Sequence, residues 1–248
     1  MNKVFRVPSV NELEREEKVR LSKPEQVSGF SAFESGEIAY NQILLIGADL
    51  LENVETYAET NKLPSLDPIL ESMNHSNRLE HNQSAKLPIK PLSEAFDIVS
   101  FRNNLNKLLG TPYNTNNPYT FHVQRRGKTL FLNIYHDPPA QNVSQAQING
   151  AYAGRRYEVL SSVPMNGDGE YCGVFSMTLG NRSLLVGAEL DGKNDRNEYV
   201  ELKTYKLLSK PKDRYTFERY KCLAFWIQSY LVGVPYIRCG FRSLDYHL

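Results

Sequence analysis

Long apolar runs are absent from this chain. The most hydrophobic stretch, Leu223 to Ile237, is interrupted by Gln228, Ser229, Gly233 and Pro235. No run reaches the ~18 apolar residues that a bilayer-crossing helix requires, so no membrane span is expected. Cysteine is scarce as well. Cys172, Cys222 and Cys239 are odd in number, widely spaced and form no C-x-x-C pair, which excludes a disulfide framework and implies free thiols in a reducing compartment. The first twenty residues lack the apolar core of a signal peptide, being charged at Glu12, Glu14, Arg15, Glu16, Glu17 and Lys18. The five histidines, His75, His81, His122, His136 and His247, have no spacing suited to a zinc site. Net charge is nearly absent too: 29 Lys and Arg against 28 Asp and Glu leave +1, and 41% of residues are hydrophobic. That combination excludes disorder of the whole chain.

What is present is a chain of 248 residues, long enough for one large or two small domains with a buried core. Its charges are unevenly placed. Residues 1–100 carry 10 basic and 16 acidic side chains, and residues 101–248 carry 19 and 12. The second half is therefore net basic, which suggests a polyanionic ligand there, although a charge-mixed soluble surface accounts for charge alone.

The first 30 residues read as an extended or partly helical arm ending near Ser28-Gly29. The apolar spacing of Ile43, Leu44, Ile46, Leu50, Leu51 and Val54 predicts a helix within 38–60. A short helix is expected from Pro64 through Met73, followed by a mobile loop from His75 to Lys90, where Asn, Gln and Ser are frequent. Leu105, Leu108 and Leu109 are helically spaced, and Gly110 before Thr111-Pro112 is a stop signal. The period then changes. Two alternating segments, 119–124 and 129–135, flank Arg125-Arg126-Gly127-Lys128 as a hairpin. Residues 148–159 read as helix, and 171–179, 183–191 and 198–205 as consecutive strands with turn residues between them. A helix from about Asp213 to Leu231 and a strand from Tyr236 to Phe241 complete the order. Helices and strands mixed in this way imply an α+β or α/β fold with a mixed sheet.

The chemically informative segment is Glu189-Leu190-Asp191, nine residues, then Glu201-Leu202-Lys203. In a strand, residues i and i+2 share a face, so Glu189 and Asp191 point one way and Glu201 and Lys203 do the same on their own strand. If the two strands pair as a hairpin, three carboxylates and one ammonium share a patch. Two carboxylates about 5 Å apart repel by roughly 3 kcal/mol at an effective dielectric near 20. Mg²⁺ or Mn²⁺, hard cations that prefer carboxylate oxygen, would offset that repulsion. This D…E-x-K pattern is one used by many metal-dependent nucleases, in which one or two ions activate water and stabilise the leaving oxygen; two are expected here. A surface hairpin with an ion pair is the plain structural alternative. Glu158 in Gly154-Arg155-Arg156-Tyr157-Glu158 adds an acid accompanied by two arginines. Gln228 lies on the apolar stripe of its helix with Phe217 and needs a partner, for which Lys203 or a metal-bound water are candidates.

Several of these segments together resemble the DXO-type family of RNA 5′-end decapping hydrolases, which includes the fungal nuclear partner of the 5′–3′ exoribonuclease. They are Asp97-Ile-Val-Ser-Phe-Arg102, Lys107-Leu-Leu, Gly154 to Glu158, Gly187-Ala-Glu-Leu-Asp191, Glu201-Leu-Lys203, and Phe225 to Pro235 through Gly240-Phe-Arg242. The resemblance implies an α+β fold of two packed mixed sheets flanked by helices, with a D…E-x-K nuclease-like metal core. It implies Glu158, Glu189, Asp191 and Glu201 as metal-binding acids, Lys203 and Gln228 at the scissile phosphate, and Arg102 binding a substrate phosphate. Arg155 departs from the family, which usually has an apolar or aromatic residue there. Members usually continue well past the Gly-Phe-Arg strand, so a single decapping-nuclease-like domain over 1–248 without the family's C-terminal region is expected.

The function implied is metal-dependent hydrolysis of RNA 5′ ends. It would remove pyrophosphate from 5′-triphosphate RNA or release an incomplete or non-canonical cap, with 5′–3′ exoribonuclease activity in some members. The expected place is the nucleus or else the cytoplasm, and a nuclear 5′–3′ exoribonuclease is the expected protein partner. The alternatives are a largely non-catalytic stabilising subunit of such an exoribonuclease, and a DNA nuclease built on the same core.

Overall fold

A computed structural model describes residues 6–16, 19–32, 38–40, 65–83, 95–114, 116–135, 144–161, 170–194, 196–243 and 246. Among them a seven-stranded mixed sheet and a three-stranded mixed sheet are combined with helices. The fold is therefore of the expected α+β class.

The centre of the large sheet is the hairpin of β6 (Glu170–Leu179) and β7 (Arg182–Glu189). Gly180 turns it at φ +60, a backbone conformation that glycine adopts without strain. Alternation along β7 sorts its side chains between two cores. Leu184, Val186 and Ala188, with Leu190 beyond the strand, pack toward Leu105, Ile227 and Leu231, whereas Leu185 packs with Val99, Phe131, Val174 and Ile69 on the other face. Burial on both faces explains the near-continuous apolar run, and each fully buried aliphatic side chain contributes roughly 1.5–3 kcal/mol.

The short strand β3 (Ile98–Phe101) lies parallel to β7 on one side and to β5 (Thr129–Tyr135) on the other. Asp97 holds its entry: the Asp97 carboxylate accepts from Ser183 N at 2.8 Å and Ser183 Oγ at 3.0 Å. These hydrogen bonds keep its carboxyl below the usual carboxylate range. The expected hairpin of β4 (Thr120–Arg126) with β5 forms the sheet edge. On the opposite side β1 (Glu25–Ala32) pairs with β6 and with β2 (Ile38–Tyr40).

The small sheet has the order β10-β9-β8, with β9 (Tyr199–Lys206) central, β8 (Gly192–Lys193) antiparallel and β10 (Tyr236–Arg242) parallel to it. The connection from β9 to β10 is a long helix in three parts: α5 (Pro211–Thr216), a π-helical turn (Phe217–Cys222) and α6 (Leu223–Leu231). Before these in chain order come α1 (Val10–Leu13), α2 (Asp67–Gln83), α3 (Arg102–Gly110) and α4 (Gln145–Ser161).

Four expectations differ from what is observed. The arm contains a helical turn at Val10–Leu13, but from Glu25 it is a sheet strand, with Ser28 and Phe30 buried. The helix expected within 38–60 begins instead as strand β2, and 41–60 lie outside the described residues. α2 does not stop near Met73 but runs to Gln83, because no glycine or proline interrupts 69–83 and helix propagates through polar residues once nucleated; 84–90 lie outside the described residues. Finally, β7 and β9 do not pair. The turn residues after Asp191 connect β8 to β9, so the chain leaves one sheet at Glu189 and enters the other at Gly192. No described helix is long and apolar enough to cross a membrane.

Candidate active site

Arg102 directly follows β3 and Glu189 ends β7, two parallel neighbours, so both lie at carboxyl ends of parallel strands, where the backbone leaves the sheet. Past Glu189, Leu190 N donates to Tyr171 O at 3.0 Å and Leu190 turns into the core. Asp191 then faces the second sheet, its Oδ2 accepting from Leu202 N at 2.6 Å. That hydrogen bond, rather than a β7–β9 hairpin, brings the two halves of the D…E-x-K pattern together.

On β9 alternation buries Leu202 on one face and directs Glu201 and Lys203 to the other. Glu201 is 1% exposed, and three donors converge on its carboxylate. Arg102 Nη1 donates to Oε2 at 2.8 Å, Lys203 Nζ to Oε1 at 2.5 Å, and Gln228 Nε2 also to Oε1. Gln228 therefore finds its partner in Glu201 itself. Lys203 Nζ further donates to Leu202 O at 3.0 Å and lies 3.6 Å from Asp191 Oδ2. Arg102, at 5% exposed, is held inside the protein by Glu201.

Glu158 enters from α4, which packs on β9. Burial, and next the charge of Asp191, push its carboxyl up to about 7. Glu189 is also pushed up to about 7, by crowding of protein around it and then by the charge of Glu170. Glu189 is nevertheless exposed to solvent. Asp191 is raised by burial and by Glu201, against the opposing pull of Lys203 and the Leu202 amide. The physical cause is common to all. Burial disfavours the charged form of Glu158, Glu189 and Asp191, neighbouring acids add to it, and Arg102, Lys203 and Arg155 offset it only in part.

Among the described residues, no three histidine, cysteine or carboxylate groups converge closely enough to form a ready coordination sphere. The donor set nonetheless suits a hard divalent cation. It is all carboxylate, partly desolvated and short of positive charge. Occupation would require Lys203 and Gln228 to give up part of their hold on Glu201.

Glu170, the first residue of β6, is a site neighbour that pattern reading missed. It acts on both Glu158 and Glu189, and Arg155 Nη1 donates to its Oε1 at 3.0 Å. The only signal was register: Cys172 opposes Glu189, which puts Glu170 two residues away on the neighbouring strand. Arg156 forms no ion pair with another described residue.

Known proteins resemble this chain in sequence and in fold. Residues 22–248 match the family described as RAI1 like PD-(D/E)XK nuclease. A rat decapping and exoribonuclease protein is 31% identical over 204 residues, covering 73% of this chain and 51% of its own length. The decapping nuclease RAI1 of Neurospora crassa is 25% identical over 234 residues, covering 81% and 55%. The chain thus spans about half the length of the curated relatives it matches. Among solved structures, Scheffersomyces stipitis Rai1 superposes with a TM-score of 0.72 at 22% identity, over 94% of this chain and 70% of that one. Candida albicans Rai1 in complex with pU5-Mn²⁺ gives 0.69 at 20% identity, over 94% and 71%. At these identities the structural likeness establishes the fold.

Proposed function

We propose that this chain, which belongs to the RAI1-like PD-(D/E)XK nuclease family, is a divalent-metal-dependent hydrolase of RNA 5′ ends. It would remove pyrophosphate from 5′-triphosphate RNA or release an incomplete or non-canonical cap. The observation that carries this reading is an electrostatically linked set of acids, Asp191 acting on Glu158 and Glu189 and itself acted on by Glu201, with Lys203 and Gln228 already bonded to Glu201. The relatives support it: one is named a decapping and exoribonuclease protein, and one was solved with a short uridylate and Mn²⁺.

Glu158, Glu189, Asp191 and Glu201 would hold Mg²⁺ or Mn²⁺, two ions by charge count, which when bound would activate water and stabilise the leaving oxygen. The chain's own residues do the rest. Arg102 fixes the Glu201 carboxylate through one nitrogen, and the remainder of its planar fork is the candidate phosphate ligand. Lys203, flexible and shared between Glu201 and Asp191, can turn toward the scissile phosphate and offset its developing charge. Gln228 donates its amide to whichever oxygen replaces Glu201 Oε1. Three cysteines without disulfide partners, Cys172, Cys222 and Cys239, accord with a reducing compartment, the nucleus or cytosol.

The test is a substrate panel of 5′-triphosphate RNA, matched DNA and 5′-hydroxyl RNA with Mg²⁺, Mn²⁺ or EDTA. Release of pyrophosphate or a 5′-terminal fragment from the triphosphate RNA alone, and only with metal, is expected. Cleavage of DNA at an equal rate would replace the RNA reading with a DNA nuclease. Co-purification with a 5′–3′ exoribonuclease, without metal-dependent product release, would favour a stabilising subunit.

A further inference from the structure

The helix that brings Gln228 to Glu201 also carries a surface that the hydrolytic site does not use. Its first half, α5 and the π turn, is anchored mainly by Phe217, whose ring packs 5.0 Å from Tyr205, 6.2 Å from Phe225 and 5.3 Å from Phe241. The π turn widens the helix at that point, and all five residues from Glu218 to Cys222 are exposed. Lys206 pairs with Asp213 at 2.5 Å and Arg214 with Glu218 at 3.1 Å. Lys212, Arg219 and Lys221 are exposed and form no ion pair with another described residue. Between these cations stand Tyr215, 62% exposed, and Tyr220, 53% exposed. Nearer Gln228, Trp226 and Tyr230 stack on each other with ring centroids 4.6 Å apart, again in the open.

A solvated helix normally pairs its charges and turns its aromatics inward. Here large aromatic faces and uncompensated cations alternate along one rod, which is the composition of a surface that receives a flexible polyanion with stacking bases. A second copy of this chain would meet the same positive charge, so like-charge repulsion disfavours it. Continuity with the acidic site selects the occupant, since Gln228 of this helix bonds Glu201. At 1.5 Å per residue, Tyr215 lies about 20 Å along the helix from Gln228, so the surface begins beside that site and leads away from it. We propose that the exposed side of Lys212 to Tyr230 binds the body of the single-stranded RNA whose 5′ end reaches the acidic site. Lys212, Arg219 and Lys221 would hold phosphates, and Tyr215 and Tyr220 would stack bases without sequence preference. This inference rests on RNA being the substrate.

Two variants of the full chain test it: Lys212→Gln/Arg219→Gln/Lys221→Gln and, separately, Tyr215→Ala/Tyr220→Ala. All five side chains are exposed, and circular dichroism checks that both variants are folded. The probes are 5′-triphosphorylated oligouridylates of about five and about twenty-five nucleotides, lengths below and above the ~4–16 nucleotides that single-strand-binding surfaces typically cover. The wild-type chain is expected to bind the long probe more tightly. Each variant should lose roughly tenfold or more of that advantage, for the tyrosine pair the stacking contribution of one or two bases. The triple variant should also lower the salt slope by about two, from three lost phosphate contacts. Hydrolysis of the short probe should be unchanged. Equal long-probe affinity in wild type and variants would overturn the proposal, as would equal loss for both lengths. Capture of an acidic peptide that competes for this face while RNA binding stays intact would overturn it in favour of a protein partner. Absence of hydrolysis with the length effect still lost in the variants would sink the decapping reading and leave this surface standing.

Discussion

Arg102 Nη1 and Glu201 Oε2 lie 2.8 Å apart with both side chains buried, an ion pair that joins the end of β3 in one sheet to the centre of the other. The two ends are not equivalent. Glu201 has two further donors, Lys203 and Gln228, whereas Arg102 has no other ion-pair partner among the described residues. Glu201→Gln leaves a buried guanidinium without a counter-charge and should cost about 3–5 kcal/mol of unfolding free energy. Arg102→Met leaves Glu201 bonded to Lys203 and should cost clearly less. Urea denaturation of both variants in EDTA decides it; equal losses would show that other groups compensate Arg102.

That pair also shows where sequence reading stopped. The alternation of Glu201-Leu202-Lys203 and Glu189-Leu190-Asp191 was legible because strand periodicity is local, and strands β4 to β7, β9 and β10, the β4–β5 hairpin and the long C-terminal helix appear where patterning put them. Pairing partners are not local. Turn chemistry after Asp191 looks the same whether it joins β7 to β9 or starts a new sheet, and only burial of Leu190 against the first sheet decides between them. The Arg102 pairing with Glu201, 99 positions later, was not legible either, because nothing in a linear sequence reveals a contact between two sheets. Glu170 was invisible for the same reason, its role arising from cross-strand register.

The raised carboxyls make stability and metal affinity move oppositely with pH. Glu158 and Glu189 lie near 7 in the folded chain against an ordinary value of 4.5. Between those values the native state binds more protons than the unfolded chain, so stability without metal falls as pH rises from about 5 to 7. Ions compete with those protons, so affinity for Mn²⁺ should climb over the same interval, with proton release on binding. Denaturant midpoints in EDTA and titration calorimetry in two buffers of different ionisation enthalpy measure both trends. A midpoint that rises with pH in EDTA would contradict the assignment.

Lys203 is the adjustable charge of the site, within 4 Å of both Glu201 and Asp191. Lys203→Met removes a cation that competes with divalent ions for the same carboxylates. Mn²⁺ should therefore bind more tightly, while hydrolysis of 5′-triphosphate RNA falls about 10²–10³-fold from loss of a charge-stabilising donor. Weaker ion binding together with lost activity would instead make Lys203 a structural support for the acids.

The paired variant Glu189→Gln/Asp191→Asn separates catalysis from architecture within one chain. Both substitutions keep size, and an asparagine oxygen at 191 can still accept the Leu202 amide that ties the sheets together. Two negative charges leave a neighbourhood in which the acids raise one another's pKa. The EDTA-treated protein should therefore melt a few degrees higher, the shift that ~1 kcal/mol gives in a domain of this length. Stabilisation by Mn²⁺, present in the wild type as a ligand of the native state requires, should vanish. Hydrolysis should drop by several orders of magnitude. Binding of long RNA should persist, since Lys212, Arg219 and Lys221 are untouched. Wild-type hydrolysis by this variant would remove these carboxylates from the mechanism. If the variant unfolds instead, the carboxylates serve chiefly to hold the two sheets together.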